Sequence, residues 1–108
     1  MAKTAIQSAY ISNVEKILWH LARYKTKRAS FVYRRKRRRF LDRGVSAAIE
    51  KRMLVEALKL LGVPFVEDRH RKRTVITVLD TDILRKRLED ENLSSLLEAA
   101  YWNTMHRL

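Results

Sequence analysis

Ile6, Tyr10, Val14, Ile17, Leu18 and Leu21 recur at steps of three and four residues, the spacing that puts one apolar stripe on a helix. Two capping-box spacings compete for its start, Thr4 with Gln7 and Ser12 with Glu15. The pattern predicts a first helix over about residues 12–26, with 4–11 as an added turn. Ser30 is expected to cap a second helix running through Phe31, Val32, Phe40 and Leu41 toward Arg43, ended by Gly44. Ser46 then caps a third helix, in which Ile49, Met53, Leu54, Ala57, Leu58, Leu60 and Leu61 fill one arc before Gly62 closes it. Ala48, Lys51, Arg52, Val55, Glu56 and Lys59 fall outside the arc, and Glu50 falls at its edge in the first turn, where free amides and the helix dipole favour a carboxylate.

The pattern changes after Gly62. Two β-rich runs, 63–66 and 74–79, flank a charged tip over 67–73 and read as a hairpin, with Pro64 placing the first run at a sheet edge. Asp80 or Thr81 caps a fourth helix carrying Ile83, Leu84 and Leu88. Leu93, Leu96, Leu97, Ala100, Tyr101, Met105 and Leu108 form a last stripe, bordered by Trp102. The expected fold class is mainly α with a small β-hairpin, without internal repeats.

With 108 residues there is room for one core, so residues 1–108 are read as a single domain. The absence of cysteine excludes disulfides, thiolate metal sites and a cysteine nucleophile. The uncharged stretch over 4–14 is far shorter than the roughly 20 residues of a membrane span, and no secretory leader pattern is present. These features fit a cytoplasmic protein with no membrane partner. Few Gly and Pro, with Arg exceeding Lys, fit a thermophilic source.

Charge gives the main indication of function. The formal net charge is +12, and residues 23–43 hold 11 basic residues against Asp42 alone. At its centre lies an unbroken run of six cations: Arg34, Arg35, Lys36, Arg37, Arg38 and Arg39. On a helix these would point all round the axis, with no acid four residues away to neutralise them. Self-repulsion of this density favours a polyanionic partner, and guanidinium groups match phosphate through paired donors. Phe31, Tyr33 and Phe40 flank the run and suit core anchoring better than base stacking. A second basic cluster, Arg69, His70, Arg71, Lys72 and Arg73, occupies the hairpin tip. Strand alternation would set Arg69, Arg71 and Arg73 in one row and His70 and Lys72 in the other. The outer face of the third helix offers Lys51, Arg52 and Lys59, with few Asn or Gln to read adenine. With Arg28 and Arg43 added, these residues form the expected nucleic-acid-binding set.

The order helix, helix, Gly44-Val45-Ser46 turn, helix, Gly62-Val63 and hairpin resembles the winged helix-turn-helix family of DNA-binding domains. The resemblance rests on Phe40-Leu41, that turn, the stripe of Ile49, Met53, Leu54, Leu58 and Leu61, and the run 65–78. It covers about residues 12–79 and leaves 80–108 as a helical extension. It implies that the third helix enters the major groove and the hairpin lies along the backbone as a wing. The basic second helix departs from the usual family pattern.

The expected function is therefore double-stranded DNA binding by a nucleoid-associated protein or a transcription regulator. The alternative is an RNA-binding component of a ribonucleoprotein such as the ribosome, because arginine-rich helices grip RNA phosphates equally well. A third class is an assembly module whose basic patch meets an acidic partner or a membrane surface, the membrane being disfavoured because the basic segment lacks a clean apolar face. The apolar C-terminal stripe is expected either to pack on the first helix as an extra core layer or to pair with another copy, and a homodimer matching a two-fold DNA site is favoured. No catalytic constellation or cofactor is expected. Asp80 and Asp82, with Glu67 and Asp68, resemble a magnesium set less than they resemble helix-capping residues, and His20, His70 and His106 are too scattered for a zinc motif.

Overall fold

A computed structural model describes residues 4–34 and 46–107. The element order is α1 (Ala5–Ala22), β1 (Ala29–Arg34), α2 (Ala47–Leu61), β2 (Phe65–Arg69), β3 (Arg73–Val78), α3 (Thr81–Asp90) and α4 (Leu93–His106). The protein is thus mainly helical, with a small three-stranded antiparallel sheet in the order β1-β3-β2.

The earlier of the two capping boxes begins α1. The Gln7 amide donates to Thr4 Oγ1 at 3.0 Å, so residues 5–11 are integral to the helix rather than an added turn, and the helix stops at Ala22. The reason lies in packing: Tyr10, Ile11 and Val14 are buried in the core, so an unwound start would expose them. Ile6 lies off the buried stripe and is exposed. Arg85 from α3 ends the helix, donating through Nε and Nη2 to the Ala22 carbonyl at 3.1 and 2.9 Å.

The second expected helix is corrected over 29–34, which form strand β1. Ser30 is paired within the sheet, with its hydroxyl 2.7 Å from that of Thr77, and does not cap a helix. The physical reason is two-residue alternation: Ala29, Phe31 and Tyr33 turn inward and Ser30, Val32 and Arg34 outward. That pattern supports six ladder positions against β3, from Ala29 opposite Val78 to Arg34 opposite Arg73. The continuation of the expected helix through Phe40 and Leu41 to Arg43 and Gly44, and Val45 of the turn, lie outside the described residues.

Ser46 caps α2, accepting from the Ile49 amide. At the other end Gly62 takes the left-handed conformation, φ 70°, and its amide donates to Lys59 O while that of Val63 donates to Leu58 O, a Schellman closure. The buried arc of α2 differs from the expected one. Leu60 is exposed, whereas Glu56 is buried beneath Arg107 from the end of α4. Glu50 sits among Met53, Leu54 and Ala57 in the middle of the arc and is 2% exposed.

The hairpin strands run further than expected, with Glu67, Asp68 and Arg69 in β2 and Arg73 in β3, so the tip shrinks to residues 70–72. The His70 amide donates to the Arg73 carbonyl at 2.8 Å across it. β2 lies at the sheet edge, as Pro64 before it suggests. Asp80 caps α3, with Oδ1 accepting from the Asp82 and Ile83 amides, and Ile83 is exposed. The helix α4 is capped by Asn92, packs on α2 and α1, and buries Leu97, Ala100 and Thr104. Leu97 and Ala100 of its stripe belong to the core, with Leu93, Leu96 and Tyr101 packed against it, while Trp102 remains exposed and Leu108 lies outside the described residues.

Candidate nucleic-acid interface

Strand register places one residue from each of two basic clusters side by side. Arg34, the first cation of the run of six, lies directly opposite Arg73, and both are exposed on the outer sheet face. Directly opposed positions bring Cβ atoms to about 5 Å, so two like charges there repel in the absence of an anion. His70, across the tip from Arg73, carries Asp68 at 3.0 Å from Nε2. Arg71 and Lys72, in the turn, are exposed.

The expected single row of Arg69, Arg71 and Arg73 is not formed. Arg69 pairs with Thr74 and shares the inner face with buried Ile76 and Val78, whereas Arg73 shares the outer face with Arg34. The turn of 71–72 lies between His70 and Arg73, so counting alternate residues straight through the tip loses the register. Arg69 Nε instead donates to Glu67 Oε2 at 3.4 Å.

The third cluster joins the same end of the sheet through α2. Lys51 Nζ lies 3.5 Å from Thr74 Oγ1, and Thr74 is flanked by Tyr33 on one strand and Arg69 on the other. Arg52, one residue on, is exposed. Lys59 lies two turns further along α2, with Nζ 4.0 Å from Glu56. Arg28 precedes β1 at the opposite end of the sheet, about 20 Å from Arg34 at the strand rise per residue, and does not join this group. Arg35, Lys36, Arg37, Arg38, Arg39 and Arg43 lie outside the described residues.

A buried polar node fixes α2 in relation to these strands. Glu50 accepts from the Tyr33 hydroxyl at 2.9 Å and from Asn13 Nδ2 at 3.2 Å, so its carboxylate joins α2, β1 and α1. Burial, followed by the charge of Glu50 and the hydrogen bond to it, raises the Tyr33 hydroxyl far above the ordinary phenol range. The phenol therefore stays a donor. Nearby, the Ser46 amide donates to the Tyr10 hydroxyl at 2.7 Å, tying the start of α2 to α1. Sequence reasoning missed this node because its members are separated by 17 and 37 positions. The available signal was Glu50 itself, an acid within an apolar arc.

Carboxylates are arranged differently from a metal site. Asp80 faces the amides of α3, Asp82 Oδ1 accepts from Arg85 at 2.8 Å, and Glu67 and Asp68 lie beside Ile76 and Val75, toward the hairpin tip. Among the described residues no three His, Asp or Glu side chains group to hold a metal ion, and no helix is long and apolar enough to cross a membrane. Comparison with protein-family models, curated proteins and solved structures finds no match to this chain.

Proposed function

We propose that this protein binds nucleic acid, with duplex DNA as the preferred ligand, through the hairpin-tip end of its sheet and the adjoining face of α2. The observation that carries this reading is the convergence of three sequence-distant basic sets: Arg34, the tip residues Arg71 to Arg73, and Lys51 with Arg52. A phosphate chain relieves the repulsion between the opposed Arg34 and Arg73 and accepts from donors that protein groups leave free.

The winged helix-turn-helix reading is retained within this proposal. In its support, α2 directly precedes an antiparallel hairpin, the tip of that hairpin is basic, and the outward side of α2 carries Arg52 and Lys59. On that reading α2 enters the major groove and β2-β3 lies along the backbone. Phosphate contacts supply most of the affinity, and discrimination falls to Lys or Arg at guanine and to DNA shape. Nucleoid association and a regulatory role follow from the same binding.

The test is fluorescence anisotropy with a mixed-sequence DNA duplex and a structured RNA, each titrated at several salt concentrations. Tighter duplex binding with a steep salt dependence supports the proposal. A clear preference for RNA transfers the protein to the ribonucleoprotein class, and no binding to either ligand at physiological salt refutes the reading.

A further inference from the structure

Away from the outer sheet face, a cleft of about 370 Å³ opens between α2, β2 and the end of α4. Four cations line it, Arg52, Lys59, Arg69 and Arg107, with Glu56 and Glu67 as the acids. Arg107 belongs to none of the basic clusters visible in the sequence; the chain path alone brings it here.

The two acids orient the cations without using up their donors. Glu56, with its side chain 9% exposed, accepts from Arg107 Nη1 and attracts Lys59 at 4.0 Å, beyond hydrogen-bond reach. Glu67 holds Arg69 through Nε alone. A guanidinium has five N–H donors, so each of these arginines keeps most of them. Arg52 makes no hydrogen bond or ion pair among the described residues, and it completes the ring of cations. Concave shape, an excess of positive charge and part-fixed guanidinium forks are the features that bind a phosphate group bidentately.

We propose that this cleft is a binding site for one phosphate group, held by Arg52, Arg69 and Arg107 with Lys59 as a further charge. The group is either a phosphodiester of a bound nucleic acid or the phosphate of a free small molecule; the chemistry of recognition is the same. The cleft shares Arg52 and Lys59 with the α2 face proposed for duplex binding, whereas Arg69 and Arg107 belong to the cleft alone, so those two report phosphate binding here separately from duplex binding at the hairpin tip.

The experiment follows the arginine side-chain Nε–Hε signals of the ¹⁵N-labelled full chain by NMR. Inorganic phosphate is titrated at constant ionic strength against chloride, and a short DNA duplex is titrated in a second series. The expected result is saturable movement of Arg52, Arg69 and Arg107, while Arg71 at the turn shows no saturation with inorganic phosphate. Arg52→Ala should weaken the cleft's affinity about tenfold, the effect of removing one charge-assisted hydrogen-bonding group. Its melting curve should be unchanged, because Arg52 is exposed and unpaired among the described residues. Arg69→Ala provides a second variant and should weaken binding in the same direction. Saturation of Arg69 and Arg107 with the duplex identifies a nucleic-acid phosphodiester as the source; saturation with inorganic phosphate alone identifies a free phosphate. Absence of saturation with both ligands, or an unchanged affinity in Arg52→Ala, overturns the proposal. Duplex binding that moves Arg71 but leaves Arg69 and Arg107 still, with no saturation by inorganic phosphate, overturns it too, while leaving the nucleic-acid reading intact.

Discussion

Replacing Tyr33 with Phe removes one hydroxyl and keeps the ring packed on the core. The bond removed is the 2.9 Å donation to Glu50, whose residue is 2% exposed, so water cannot readily substitute for the missing donor. A hydrogen bond to a buried charged acceptor contributes about 1.5–3 kcal/mol, and Tyr33→Phe should cost about 2 kcal/mol at pH 7. The pH dependence supplies a sharper signature. In the unfolded chain Tyr33 ionises near 10, whereas in the folded protein its pKa is raised, chiefly by burial and further by Glu50. A raised folded pKa gives stability that is fully present below the unfolded pKa and declines as pH climbs above about 10. With the unfolded phenol half ionised at pH 10, the gap between wild type and Tyr33→Phe should narrow by about 1 kcal/mol between pH 10 and 11, the slope approaching about 1.4 kcal/mol per pH unit. Denaturant unfolding of both proteins at pH 7, 10 and 11 measures it, and taking the difference cancels the other titrating groups. A cost below 0.5 kcal/mol at pH 7, about the level of a neutral surface change, or a gap independent of pH would refute the reasoning.

Two further perturbations test the frame that holds the site. Gly62→Ala forces a side chain into the left-handed region at φ 70°, although a Cβ there meets nothing within 4 Å, so thermal unfolding should show a loss of about 1–2 kcal/mol from the backbone alone. Leu97→Ala should cost about 2–5 kcal/mol in denaturant unfolding, since Leu97 is wholly buried where α4 packs on the rest; a loss under 1 kcal/mol would mean that α4 is only an appendage.

Local chemistry is legible in the sequence where a few neighbouring residues decide the structure. Ser46 and Gly62 mark the ends of α2, and Pro64 marks an edge, through backbone requirements that act over a handful of positions. The strand β1 is hidden because Ser30 followed by aromatic residues and cations fits a capped helix as well as an alternating strand. What decides between them is β3, whose paired positions lie 39 to 49 residues away along the chain. The same limit applies to α1, whose two capping boxes are equal in isolation until Tyr10 is seen to meet Ser46. On α2, Glu56 reads as solvent-facing because its cover, Arg107, comes from the far end of the chain. The basic clusters themselves are plain from composition, but their meeting is not: Arg34 opposite Arg73 is a fact of register, and Arg69 on the other face is its consequence.

That meeting is the basis of the proposed nucleic-acid surface. The measurement that tests it directly is the salt dependence of duplex DNA affinity for wild type, for the double variant Arg34→Ala with Arg73→Ala, and for a control, Arg87→Ala, an exposed cation in the last turn of α3. Each phosphate deprived of its cation reduces the slope of log affinity against log salt by about 0.9, so the double variant should fall by about 1.8 while Arg87→Ala stays at the wild-type slope. A double variant with the wild-type slope, or a control that falls as far, would contradict the assignment of the hairpin-tip end as the nucleic-acid surface.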